Sequence, residues 1–185
     1  MMRRLLKWDA AASSALRVAE KPGPLRTLAM IFAHSGDSWF WGAGLIALWL
    51  AGNSAWKRWA FYELFWISAL AALVMTLKFT IRRRRPEGEW GKIYRNTDPH
   101  SFPSGHAARA FLIALLAGWL GPENLALILW IWAPLVSLAR VAMGVHYLSD
   151  VVAGALVGLL TAWLAWQASP ALIAALTGFS PWPLW

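Results

Sequence analysis

Between Ser38 and Trp56 the chain runs for 19 residues without a charged side chain. No other feature limits the fold as much. A helix of about 20 apolar residues matches the hydrocarbon core of a bilayer. Inside that core only helices and closed barrels can satisfy their own backbone groups. Trp39, Trp41 and Trp56 stand near the ends of the run, where indole favours the membrane–water boundary. The whole chain agrees with this. Of its 185 residues 59% are hydrophobic and only 14% are charged, against about 25% in an average soluble domain.

The remaining segments follow from breakers and caps. Residues 3–20 read as an amphipathic helix with Leu5, Leu6, Trp8, Ala12, Leu16 and Ala19 on one side. Arg3, Arg4, Lys7 and Arg17 would reach from it toward head groups. Pro22-Gly23-Pro24 ends it. Residues 25–33 form a second apolar piece, too short to span, stopped by His34-Ser35-Gly36-Asp37. The run from Ser38 is the first spanning helix, with a turn at Gly52-Asn53-Ser54. A second is expected from about Ala55 to Phe79, with Glu63 as its one acid, turned inward. Arg82 to Arg85 and Pro86 close it. Residues 87–102 are polar and make the one long loop, the kind of loop that in a compact protein carries function.

Ser104 after Pro103 has the form of an N-cap for a third helix that ends at Leu120. A fourth is expected from Asn124 to about Ala139, with Pro134 inside it, and a fifth from near Tyr147 to about Gln167. Gly154 and Gly158 fall four apart on the fifth, a spacing that lets helices approach closely. Pro170, Pro181 and Pro183 mark an interfacial tail. The expected architecture is therefore an all-α polytopic membrane bundle of five spanning helices plus an N-terminal amphipathic helix. A sixth span could come only from residues 25–33 or 171–179, both short. The chain divides into an interfacial segment 1–36, a transmembrane unit 37–169 and a tail 170–185. The basic first residues raise the question of a cleaved signal. No apolar core follows them before Arg17, Glu20 and Lys21, so none is expected.

The net charge is +8 and there is no cysteine, which removes disulfides and thiolate metal sites. The aromatics lie in apolar runs rather than among the basic residues, so nucleic acid is not the expected partner; membrane lipid and phosphate are. Five spans place the N-terminus, the 80–103 loop and the 140–146 connection on one side of the membrane. Lys78, Arg85, His106, Arg140, His146 and Asp150 then converge on one face. His146 and Asp150 are four apart, so on a helix the carboxylate can orient the imidazole.

Such a set suits an anion, and phosphate best. Arg85 and Arg140 can each hold two phosphate oxygens, with Lys78 as a point charge. The N–H groups of Gly105 and His106, at a helix start, point where an oxyanion would sit. One neutral histidine can attack phosphorus while a protonated one donates to the leaving oxygen. Three cations would repel a divalent metal, and only one carboxylate is near, so neither metal nor other cofactor is expected.

Lys78-x6-Arg85-Pro86, then Pro103-Ser104-Gly105-His106, then Arg140-x5-His146-x3-Asp150 resembles the three-part signature of the type 2 phosphatidic acid phosphatases. These are integral-membrane lipid phosphatases sharing a core with vanadium haloperoxidases. The resemblance runs from about residue 34 to residue 165, and the order of the three parts agrees. It implies that His146 is the nucleophile, forming a phosphohistidine, with Asp150 orienting it. His106 would protonate the leaving group and then activate water. Lys78, Arg85, Ser104, Gly105 and Arg140 would bind the phosphoryl group, with no metal. The family usually has serine where this chain has Ala139, a loss of one hydrogen bond worth about 1 kcal/mol. The stretches S-F-P-S-G-H-A-A-R-A-F and L-A-R-V-A-M-G-V-H are most similar to the small polyisoprenoid-diphosphate phosphatase branch. An isoprenoid (di)phosphate is thus the expected substrate, ahead of phosphatidate or phosphatidylglycerophosphate.

The blander expectations are these. Arg82, Arg83 and Arg84 set topology at the interface; Arg109, one turn after His106, either reaches the site or pairs structurally, with Asp98 or Glu89 as the suggested partners. His34 and His100 are solvated loop residues, though His100 is near enough to the second motif to touch a head group. The basic bias favours the cytoplasmic side, although some of those charges would bind substrate and related bacterial enzymes commonly face outward. The alternatives on the same residues are a silent lipid-phosphate-binding protein and a vanadate-dependent oxidase. An anion transporter would need a polar path that the apolar helices do not offer.

Overall fold

The innermost helix is built from small residues. Gly105–Leu120 places Ala107, Ala108, Ala110, Leu112, Ile113, Ala114, Leu116 and Ala117 wholly out of solvent. That is the pattern of a helix surrounded by others. In the computed structural model, which describes residues 2–88, 90, 98–121 and 123–179, the helices are α1 (Met2–Ala15), α2 (Pro24–Ser35), α3 (Ser38–Ala51), α4 (Ser54–Ile81), α5 (Gly105–Leu120), α6 (Glu123–Ala142) and α7 (Leu148–Phe179). α5 packs against α4, α6 and α7, α3 against α4, and α2 against α6. The all-α expectation holds.

Among the described residues three helices, α4, α6 and α7, are long and apolar enough to cross a bilayer. Their outer faces are greasy: Leu127, Ile128, Ile131, Leu135 and Leu138 on α6, and Val152, Leu156, Leu160 and Leu164 on α7, are all exposed. Lipid is the medium that accepts such stripes. α3 and α5 are apolar but short, 14 and 16 residues, or about 21 and 24 Å against a core of about 30 Å. The 19-residue uncharged run is not one helix. The side chain of Asn53 accepts the N–H groups of Ala55 and Trp56, so it caps α4 and α3 stops at Ala51. At the other end α7 continues to Phe179 through Pro170, where the sequence suggests a tail. Residues 171–179 therefore extend α7 and are not a separate span. The N-terminal helix also stops early, at Ala15. Beyond it the Val18 N–H donates to the Ala142 carbonyl. Glu89, Asn96, Pro181, Trp182, Pro183 and Trp185 lie outside the described residues.

The glycine pair does what its spacing suggests. A Cβ at Gly154 would land on the Ser104 carbonyl oxygen, and one at Gly158 on the Ala108 carbonyl oxygen. α7 therefore lies backbone to backbone on α5. This contact fixes the start of α7, just beyond His146, against the start of α5, which carries His106. The Ser104 N–H donates to the Asp150 carbonyl at 2.9 Å. Asp150 in turn caps its own helix by accepting the Tyr147 N–H at 2.9 Å.

Candidate active site

At the end of the bundle where α4 finishes and α5 begins, an open cleft of about 160 Å³ is lined by Lys78, Arg85, Asp98, Gly105, His106, Arg109, Arg140 and His146. Ile67, Leu70, Ala71, Val74 and Met75 of α4 continue its wall. They follow i, i+3, i+4, i+7, i+8, one face of a helix. The polar end and the apolar wall belong to one space. Three separate segments thus meet, as the helix order suggests, and the N-terminus joins them through α1.

Lys78, in the last turn of α4, is buried and donates to Asp98 at 2.6 Å and to the His100 carbonyl at 2.8 Å. Arg85 donates from Nη2 to the same Asp98 oxygen at 2.7 Å and from Nε to the Asp98 carbonyl at 2.7 Å. Its Nη1 donates to the Val145 carbonyl at 2.9 Å and lies 3.3 Å from His146 Nε2. Arg140, from the last turn of α6, is 2% exposed and faces the cleft. Ser104 and Asp150 do not line the cleft. Ser104 is buried behind it, its hydroxyl oxygen facing the Ala107 N–H as the N-cap of α5.

His146 is itself buried. Burial first, and then the charges of Arg85, Arg140 and Lys78, hold its imidazole well below the usual 6.5. The ring is neutral at pH 7, which leaves a lone pair on nitrogen. Its Nδ1 faces Asp150 Oδ2 at 3.5 Å, long for a hydrogen bond. The carboxylate is committed elsewhere, to the Tyr147 N–H and to Arg83, which donates to Oδ1 at 2.7 Å.

Arg83 corrects the expectation of a merely topological cluster. Besides Asp150 it binds the Ser149 hydroxyl at 2.6 Å and Asp9 of α1 at 2.6 Å, and its guanidinium sits 4.0 Å from the centre of the Tyr147 ring. Asp9 also accepts the Ser149 N–H at 3.0 Å, and Ser13 accepts the Leu148 N–H at 2.8 Å. α1 therefore supplies, from outside, the acceptors that the first turn of α7 lacks. For Asp9, burial alone would raise the carboxyl, but the bonds from Ser149 and Arg83 outweigh it and lower it.

Arg109 lines the cleft and, among the described residues, does not pair with Asp98; Glu89 lies outside them. It donates to the Gly36 carbonyl and, at 2.7 Å, to the Ser38 hydroxyl. His34 is half-exposed and reaches Asp37 Oδ2 at 3.1 Å. The other Asp37 oxygen lies 2.8 Å from His106 Nε2. Burial would raise Asp37; the His106 and His34 contacts overcome this and hold it far below the carboxylate range. Arg83, Asp98, Asp37 and Asp9 are thus the polar residues at the site that motif spacing missed. Each acts through a partner at least 13 positions away in sequence, and no local pattern announces such a pairing.

Ala139 is buried in an apolar cluster with Ala19, Ala29, Ala33 and Met143, so its methyl has packing of its own.

A model of the PAP2 superfamily matches residues 59–174. The chain belongs to the PAP2 superfamily. It is 31% identical over 167 residues to the decaprenylphosphoryl-5-phosphoribose phosphatase of Mycobacterium tuberculosis, covering 85% of this chain and 89% of that one. Among solved structures it is similar to a transmembrane PAP2-type phosphatidylglycerolphosphate phosphatase from Bacillus subtilis. That match has a TM-score of 0.67 and 25% identity, and covers 91% of this chain and 87% of that one. Aquifex aeolicus LpxE superposes with a TM-score of 0.64 at 26% identity, over 80% and 90% of the two chains. The chain is thus a multi-pass membrane protein and a lipid phosphate phosphatase, a hydrolase of the PAP2 superfamily.

Proposed function

We propose that this PAP2 protein hydrolyses the phosphate monoester or diphosphate of a polyisoprenoid lipid, through a phosphohistidine on His146 and without a metal. The observation that carries this reading is the placement of a neutral, buried imidazole beside Arg85, in a cleft that Lys78 and Arg140 also line. His146 Nε2 attacks phosphorus while Nδ1–H faces Asp150. The bond from phosphorus to the leaving oxygen breaks, and that oxygen keeps the electron pair and takes a proton from His106. Water then attacks phosphorus, giving its proton to His106. The P–N bond breaks, and inorganic phosphate and neutral His146 are released. Lys78, Arg85 and Arg140 hold the phosphoryl oxygens, and the N–H groups of Gly105 and His106 face the same charge.

The preference for an isoprenoid rests on the apolar wall along α4 and on the polyprenyl phosphate in the name of the Mycobacterium tuberculosis relative. The bias of basic residues toward the site's end of the bundle supports a cytoplasmic position. The test is phosphate release by the purified protein in excess EDTA, from isoprenyl diphosphate, phosphatidate and phosphatidylglycerophosphate compared side by side. The isoprenoid is expected to be fastest. His146→Ala should lose about 10³-fold or more in kcat/KM; full activity in that variant would sink the mechanism.

A further inference from the structure

In sequence Asp37 is only part of a helix stop, yet its carboxylate lies between two imidazoles. His106 Nε2 is 2.8 Å from Oδ1 and His34 Nδ1 is 3.1 Å from Oδ2. The loop that carries it is clamped from several directions. One turn along α5 from His106, Arg109 holds the Gly36 carbonyl and the Ser38 hydroxyl. Ser35 accepts the Trp132 indole N–H at 2.8 Å on its hydroxyl and the Trp41 indole N–H at 3.0 Å on its carbonyl. At Gly36 there is no room for a side chain: a Cβ would stand 2.8 Å from Val136 Cγ1 and 3.2 Å from His106 Cδ2. The backbone beneath Asp37 therefore rests against the ring that Asp37 binds.

We infer that Asp37 is the positioning residue for His106, holding Nε2–H so that Nδ1 is the nitrogen that exchanges a proton with the leaving oxygen. The inference rests on the reading of His106 as the leaving-group acid. An ionised carboxylate can only accept, so the ring must donate to it from Nε2, which leaves Nδ1 for the cleft that His106 lines. A fixed negative charge beside the ring also supports the imidazolium that must exist before the proton is given up. Asp37 keeps its charge throughout and touches no substrate atom. His34, on the far oxygen, steadies the carboxylate.

The test uses the full chain in detergent and the quantity kcat/KM, which stops at the first irreversible bond cleavage. An alkyl phosphate needs a proton on its leaving oxygen, whereas p-nitrophenyl phosphate leaves without one. Asp37→Asn should lower kcat/KM about 10²-fold for dodecyl phosphate and less than about threefold for p-nitrophenyl phosphate. His106→Ala should show the same selectivity, and the double variant should be no worse than His106→Ala alone. An equal loss on both substrates would mean a structural role and overturn the inference. Normal alkyl phosphatase activity in Asp37→Asn, with His106→Ala inactive, would overturn the inference alone. An unimpaired His106→Ala would instead overturn the reading beneath it. If Asp37→Asn does not fold, the wild-type protein still decides. Nitrogen-15 NMR of neutral His106 should show the proton on Nε2, and a proton on Nδ1 with bare Nε2 would refute the assignment.

Discussion

The two histidines of the cleft each face a carboxylate, but the two corners are built in opposite ways. His146 and Asp150 are four residues apart, yet their facing atoms stand 3.5 Å apart and the acid is bound to Arg83 and the Tyr147 N–H. His106 and Asp37 are 69 residues apart, and their contact is 2.8 Å. The His146 corner, where the proposed nucleophile sits, is an electrostatic one: cations and burial keep the ring neutral, and the nearby acid mainly anchors the helix start. The other corner is a direct pair, made by a loop clamped onto α5. Proximity in sequence and strength of contact are separate matters.

The largest effect expected from this contrast is at Arg83. Arg83→Met removes the cation shared by Asp150, Ser149 and Asp9 and leaves a buried carboxylate short of a partner. It should lower kcat/KM about 10- to 100-fold with no selectivity for the leaving group, because it disturbs attack rather than proton donation. Kinetics with dodecyl and p-nitrophenyl phosphate would show this; leaving-group selectivity here would erase the distinction between the corners. Next is pH. A depressed His146 keeps its neutral form as pH falls, so the acid limb of kcat/KM moves down and not up. With p-nitrophenyl phosphate, which needs no proton from His106, and corrected for ionisation of the substrate, kcat/KM should hold within about twofold from pH 7 to 5.5, where an ordinary imidazole would lose about tenfold. A steep fall beginning near pH 7 would refute the neutral-ring account. The smallest effect is expected at Ala139→Ser. The new hydroxyl would enter the cluster of Ala29, Ala33 and Met143, so kcat/KM should change by less than about threefold. A large gain would mean that the position reaches the phosphate.

Much of the frame was legible because it rests on local rules. Ser104 as a cap, the glycine pair on α7 and the amphipathic α1 follow from capping, side-chain size and periodicity, and the structure has all three. Lys78, Arg85, Gly105, His106, Arg140 and His146 were found by spacing and do line one cleft. The turn at Gly52-Asn53-Ser54 is where α3 ends and α4 begins, but counting uncharged residues makes the first span too long, because Asn53 ends the helix without a charge. Asp9, Asp37 and Asp98 escaped because an acid in a polar stretch looks solvated until its distant cation or imidazole is known. Arg83 escaped because it sits among three other arginines.

The apolar wall from Ile67 to Met75 leads away from Lys78 down α4. Ile67 and Lys78 are eleven positions apart, about 16 Å of helix and about half the thickness of the bilayer's hydrocarbon core. A substrate seated along it never needs to leave the bilayer: it arrives by diffusing sideways in the plane. The concentration that governs turnover is then a surface one, the mole fraction of substrate among its neighbouring lipids or detergent. Adding inert detergent at constant bulk substrate should slow the enzyme as strongly as removing substrate.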